Sequence, residues 1–243
     1  MKRLVVGPRA VLEAARAAPG RVHVVYFQRG ARRTLRELAD ELARRGVRIE
    51  EREAPELDAL AAGHRHQGVV AITGEYVYAE LDEVLAARAP LLIALDQITD
   101  PHNLGAIVRS AVAFGADGVL TLKDRAAPVT PVVVRASAGA TEHARIVRVT
   151  NLARTLAALA ERGMDVVGLD ADGEDDLAAL GAAPDGRVLV VGAEGAGLRR
   201  LVRERCTRLA RIAHPGPVAS LNASVAASIA LFCAWRARAA APA

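Results

Sequence analysis

The feature that most restricts this fold is a series of short apolar runs, each of strand length and each followed by a segment with helical spacing. In the second half the runs fall at 91–95, 118–122, 145–149, 164–169, 187–192 and 207–212. Runs that are continuously Val, Ile and Leu belong to strands covered on both faces, and strand–helix alternation makes such a sheet parallel. The class is α/β. The first 75 residues alternate on a smaller scale. Helices are predicted from Gly7-Pro8 to about Ala18, through Leu35, Leu38, Ala39 and Leu42 to Gly46, and over 56–62. Strands are predicted at 22–27, 47–49 and 69–72. Residues 1–75 therefore form one small domain, the polar, proline-marked stretch 76–89 a linker with a short helix over 82–89, and residues 90–243 a second domain.

The most informative stretch is Leu91 to Ala116. An apolar strand runs into Asp100-Pro101, where the residue before proline is driven away from helical angles. Asn103 then reads as an N-cap, with Leu104, Ile107, Val108 and Ala111 on one helical face and Gly115 as the stop. Arg109 lies off that stripe, within two turns of Asp100, His102, Asn103 and Ser110. Loops at strand carboxyl ends are where open α/β sheets place their sites.

Two later stretches have the same character. Val188–Val191 leads into Gly192-Ala193-Glu194-Gly195-Ala196-Gly197. A glycine cluster after a strand lets backbone amides approach a ligand. Its G-x-x-G-x-G order, after a late strand, argues against a dinucleotide fingerprint and a nucleotide-dependent oxidoreductase. Val218-Ala219-Ser220-Leu221-Asn222-Ala223-Ser224 opens a helix rich in small residues, with Ser220 as its predicted cap.

Composition narrows the partners. A formal charge of +4, with 32 cations against 28 anions, favours a polyanion. Only seven aromatic residues leave little for a base-stacking platform, so charge and backbone contacts should dominate any nucleic-acid binding. Arg32, Arg33 and Arg36, with Arg44, Arg45 and Arg48, surround one helix of the first domain. The His64-Arg65-His66-Gln67 run lacks acidic or thiol partners at metal-site spacing, so no metal is expected. Cys206 and Cys233 match no redox or metal pattern and read as reduced thiols. With no signal peptide and no apolar run of ~18 residues, a cytoplasmic location is expected and a membrane is not.

The motif Asp96-x-x-x-Asp100-Pro101-x-Asn103-x-Gly105-x-x-x-Arg109-Ser110-Ala111 resembles the first motif of the SpoU/TrmH-type RNA 2′-O-ribose methyltransferases of the knotted SPOUT class. The glycine cluster and the Ser220-Leu221-Asn222 segment resemble the second and third motifs, in order, and the resemblance covers the whole chain. It is closest to bacterial enzymes that methylate guanosine in large-subunit (23S) ribosomal RNA. It implies a trefoil-knotted parallel-sheet methyltransferase domain preceded by a small L30e-like substrate-binding domain. It implies S-adenosylmethionine held by Gly192, Ile212 and Leu221. It also implies a catalytic cluster of Asn103, Arg109, Glu194, Ser220 and Asn222, RNA contacts at Arg32, Arg33, Arg36, Arg65, His66 and Gln67, and a homodimer. A transfer RNA methyltransferase and a non-catalytic RNA-binding protein are the alternatives. One departure stands out: the family reads Ile-Pro-Met where this chain has Ile212-Ala213-His214. That exchanges a fixed proline angle for a free one and adds a titratable ring beside the donor. The family assigns the hydroxyl proton to Arg109. A guanidinium stays protonated in proteins, so we expect Arg109 to bind phosphate and orient the hydroxyl instead.

Overall fold

The computed structural model describes residues 2–218 and 220–240. In chain order its elements are β1 (Lys2–Val6), α1 (Pro8–Ala17), β2 (Val22–Gln28), α2 (Ala31–Thr34), α3 (Arg36–Arg44), β3 (Ile49–Arg52), α4 (Ala54–Ala61) and β4 (Val69–Gly74). There follow α5 (Leu81–Leu85), β5 (Leu91–Asp96), α6 (Pro101–Ala113), β6 (Gly118–Leu122), α7 (Pro131–Ala136), β7 (Ile146–Val149) and α8 (Leu152–Glu161). The chain ends with β8 (Asp165–Leu169), β9 (Asp175–Asp176), β10 (Arg187–Gly192), α9 (Arg200–Arg203), β11 (Arg208–Arg211) and α10 (Ala223–Ala239). No helix among the described residues is long and apolar enough to cross a membrane.

Two compact units result, one of residues 1–77 with 129–143, the other of 78–128 with 144–243. The first holds a four-stranded sheet in the order β1-β4-β2-β3, antiparallel except for the parallel β2–β3 pair. Two of its strands escape a reading by hydrophobic run. β1 carries Lys2 and Arg3 and is an edge strand whose buried residues are only Val5 and Val6. β3 begins at Ile49, later than the predicted 47–49 strand, and continues through Glu50, Glu51 and Arg52; edge strands tolerate such charge because one side is open. Segment 129–143, which sequence alone places in the second domain, packs here. Val134 enters the core with Val5, Val11, Val25 and Phe27, and Arg3 holds Glu142 at 2.6 Å.

The second unit holds a seven-stranded, all-parallel sheet in the order β7-β6-β5-β10-β8-β11-β9. Every residue of β5 is buried, as its continuous apolar run requires. One face of the sheet packs Leu92, Ala94, Leu120, Val188 and Val190 against Leu152, Leu156 and Leu159 of α8. Asn151 caps that helix, its Oδ1 accepting from the Arg154 amide at 3.1 Å. The chain runs outward from β5 through β6 to β7, then returns to build the other side from β8. The strand order thus reverses beside β10, and the carboxyl ends there form the crevice in which open sheets bind ligands.

Candidate active site

α6 begins three residues earlier than its sequence suggests. Asp100 is the N-cap, its Oδ1 accepting from the His102 amide at 2.9 Å, and Pro101 takes the first turn. Asn103 is therefore not the cap. It sits buried inside the first turn with its amide free to act elsewhere. The same correction applies to the last helix. Ser220 does not cap α10; Asn222 does, its Oδ1 accepting from the amides of Ser224 at 2.9 Å and Val225 at 3.2 Å. Ala219 of that motif lies outside the described residues.

These two asparagines meet on Glu194. Asn103 Nδ2 donates to Glu194 Oε1 at 2.9 Å, Asn222 Nδ2 donates to Asn103 Oδ1 at 3.0 Å and also to Glu194 Oε1, and the Ala223 amide reaches the same oxygen at 3.3 Å. Each motif contributes one side chain. Because Ala223 is the first residue of α10, the carboxylate sits against a helix N-terminus, where negative charge is favoured. Oε2 of Glu194 makes no hydrogen bond among the described residues, leaving an acceptor for a polar group brought to this corner.

The glycine-rich loop carrying Glu194 is held by close approach and by a buried ion pair. A Cβ on Gly192 would overlap the Gly197 carbonyl and the Leu198 nitrogen, so only glycine allows the loop to fold back on its strand. Gly195 and Gly197 take positive φ of 74° and 64°. At the far end of the loop, Asp96 accepts from the Arg199 amide at 2.9 Å and from Nε at 2.7 Å, with Nη2 in ion-pair contact at 2.6 Å and its own side chain wholly buried. Asp96 belongs to the first motif, but nothing in its spacing marked it as the anchor of the second.

Beside the cluster lies a cavity of about 380 Å³. Its walls come from the ends of β8, β10 and β11 and from the chain entering α10, and they include Gly192, Ile212 and Leu221 together with Glu194 and Ser220. Its size falls in the ordinary range for small-ligand sites. Leu169, Asp170, Ala171 and Asp172 form a further wall that sequence reasoning missed; the available signal was their position after a strand at the topological switch. Arg203 donates to Asp170 at 2.8 Å, and that hydrogen bond, aided by the Asp172 amide and the guanidinium charge, holds the Asp170 carboxyl below its ordinary range against the effect of burial. His214, the residue that departs from the family pattern, faces this cavity.

The remaining predicted residues are not gathered here. Arg109 is exposed on α6, makes no hydrogen bond or ion pair among the described residues, and stands about 9 Å along the helix from Asn103 by the α-helical rise. In the first unit, Arg65, His66 and Gln67 share a concave surface with Gln28–Ala31, Thr34 and Leu35. Arg32, Arg33 and Arg36 are exposed outside its lining, with Arg36 3.6 Å from Asp40. His66 is committed locally. Its Nδ1 accepts from the Gly68 amide at 3.0 Å, so the proton must sit on Nε2, which donates to Asp58 at 3.0 Å.

Comparison with known proteins bears on this geometry. Residues 90–232 match the SpoU rRNA methylase family, and residues 4–79 match the RNA 2′-O ribose methyltransferase substrate-binding domain. The chain belongs to the SpoU methyltransferase family. An uncharacterized tRNA/rRNA methyltransferase of Mycobacterium avium is 45% identical over 93% of this chain and 75% of its own length. Among solved structures, the SpoU methyltransferase AviRb from Streptomyces viridochromogenes in complex with AdoMet superposes with a TM-score of 0.81 at 30% identity, covering 99% of this chain and 92% of that one. The AdoMet-bound rRNA methyltransferase from Sinorhizobium meliloti gives 0.79 at 27% identity, covering 97% and 87%. As a SpoU-family RNA methyltransferase the protein uses S-adenosylmethionine, which supplies a methyl group on a sulfonium sulfur. The cavity suits it: Leu169, Val191, Leu198, Ile212 and Leu221 offer apolar walls, while the glycine loop, Asp170 and Asp172 offer polar ones.

Proposed function

We propose that this SpoU methyltransferase modifies a ribose 2′-hydroxyl, with a guanosine of large-subunit ribosomal RNA as its target. The observation that carries the reading is the meeting of Asn103 and Asn222 on Glu194, which lines the donor cavity. Methyl transfer needs the donor and a hydroxyl held in line, and a route for the hydroxyl proton. Gly192, Ile212 and Leu221 hold the donor. Glu194 fixes both asparagine amides, and with Ser220 at the cavity wall they orient the ribose. The C–S bond breaks as the O2′–C bond forms, and the proton leaves the hydroxyl. Arg109, permanently charged, binds an adjacent phosphate, and a phosphate oxygen takes that proton.

The first unit serves as the RNA-holding domain, with Arg32, Arg33, Arg36, Arg65 and Gln67 exposed for backbone contacts and His66 bracing their loop. We further read the carboxyl-terminal segment as passing through a loop to make a trefoil knot, the enzyme as a homodimer and the cytoplasm as its location. In support of the dimer, Phe232, Trp235 and Val225 of α10 are 41%, 42% and 46% exposed, and Phe114 packs edge-on to Phe232. Full-chain coverage by an rRNA-directed structure favours ribosomal over transfer RNA as substrate.

The test incubates purified protein with radiolabelled S-adenosylmethionine and unmodified ribosomal or transfer RNA, then maps alkali-resistant sites. Label in large-subunit RNA is expected, and Arg109→Ala should abolish it while leaving donor binding intact. Label confined to transfer RNA would move the substrate; label on a base would overturn the ribose assignment.

A further inference from the structure

A second cavity, of about 350 Å³, opens on the carboxyl edge of the same parallel sheet, at the ends of β6 and β7. Asp124, Arg125, Thr150, Asn151, Arg199 and Arg200 make the polar part of its lining, and Leu122, Leu152, Leu201 and Val202 much of the apolar part. The donor cavity reaches Leu198 and this one begins at Arg199, so consecutive residues of one loop wall the two sites. The lining carries three guanidinium groups and one carboxylate, Asp124, and two of the three guanidinium groups have ion-pair partners outside it. Arg125 is exposed and has no hydrogen bond or ion pair among the described residues. Its φ of +56° lies in the left-handed region, which is uncommon for residues other than glycine. Arg199 is pinned by Asp96, and Arg200 lies at the surface in an exposed ion pair with Glu204 at 2.6 Å, which solvent screens. The cleft also meets the start of α8, a ten-residue helix whose cap Asn151 serves the Arg154 amide, and the amides of Leu152 and Ala153 have no acceptor among the described residues.

We propose that this cleft is a phosphate subsite for the RNA strand next to the target nucleotide. Arg125 and Arg200 bind the phosphodiester, and Arg199 is the fixed post between the strand and the methyl-donor side. Forked guanidinium donors and helix amides suit a tetrahedral anion. The Asp96 clamp then has a second consequence. It ties the position of the glycine loop to the wall of the strand-binding cleft, so the same buried carboxylate sets both. This inference rests on RNA being the substrate of the site.

The experiment measures RNA affinity by fluorescence anisotropy across a KCl series for the full-length wild type, Arg125→Asn, Arg200→Gln and the double variant. Asparagine tolerates the left-handed backbone at 125, so that substitution removes charge with little strain. S-adenosylmethionine binding by calorimetry serves as the check on folding. We expect each single variant to weaken RNA binding about 5- to 10-fold and the double variant further. The slope of log K against log[KCl] should shrink by about 0.7 for each phosphate that is no longer neutralised. Arg125→Lys should recover part of the affinity. Affinity and slope within twofold of wild type, with donor binding intact, would overturn the proposal. So would competition by inorganic phosphate without any change in RNA affinity, which would mark an anion site unrelated to the substrate. Failure of wild-type protein to methylate any RNA would instead refute the functional reading, while the binding series still judges the cleft.

Discussion

The Asp96–Arg199 pair predicts an unequal response to removing its two ends. Asp96 has no exposed side-chain surface, whereas the Arg199 side chain is 39% exposed. In Asp96→Ala the guanidinium can turn to water, and the main loss is the Arg199 amide left without its acceptor, worth ~1–3 kcal/mol, plus part of the charged hydrogen bonding. We expect about 2–3 kcal/mol in all. In Arg199→Ala a carboxylate stays fully buried beside a single backbone donor, and breaking a buried pair from that side costs about 3–5 kcal/mol. For a unit of this size each kcal/mol moves the melting midpoint by about 2–4 °C, so Asp96→Ala should lower it by about 4–12 °C and Arg199→Ala by more. The double variant Asp96→Ala/Arg199→Ala should be milder than Arg199→Ala alone, since no charge is then left buried. Trp235, the one tryptophan of the chain, lies on α10 in the second unit, so its fluorescence reports the unfolding of the right part of the molecule. If Arg199→Ala proves no worse than Asp96→Ala, or the double variant worse than either, the buried-charge reasoning fails.

Three further outcomes follow from the same structure. Gly192→Ala must push the 197–198 backbone off its strand, so donor affinity should fall at least 10-fold by calorimetry; unchanged binding would mean that the loop does not wall the donor site. Burial pushes the Cys206 thiol up to about 12 and raises that of Cys233 as well, so both should label slowly with maleimide at neutral pH and promptly in denaturant; fast native labelling of Cys206 would contradict its packing. Because the folded-state pKa of Asp170 is depressed by Arg203, the stabilisation from that pair is complete above the ordinary aspartate pKa and is lost as pH falls through the folded value. The difference in melting midpoint between wild type and Arg203→Gln should therefore stay constant from pH 8 to 5 and shrink below about pH 4. A difference that grows on acidification would reverse the assignment.

Local sequence determined the elements and the chemistry they carry. Continuous apolar runs encode strands covered on both faces, and β5, β6, β8 and β10 lie where such runs fall because burial leaves its mark on every residue of the strand. The functional stretches were legible for a similar reason. Glycines, prolines and small polar residues cluster where the backbone must turn sharply at a strand end. Where burial is one-sided or absent the pattern disappears, and so the charged edge strands β1 and β3 were not visible as they form. Tertiary structure decided what the polar residues do. Asn103 and Ser220 look like caps in isolation, yet Asp100 and Asn222 take those positions, because the cap is chosen by the whole path into the helix and not by residue type alone. Nor does spacing say that Asn103, Glu194 and Asn222 share one oxygen. Their meeting depends on β10 lying beside β5 and on α10 returning across α6, pairings between segments a hundred residues apart that only the closed sheet can enforce.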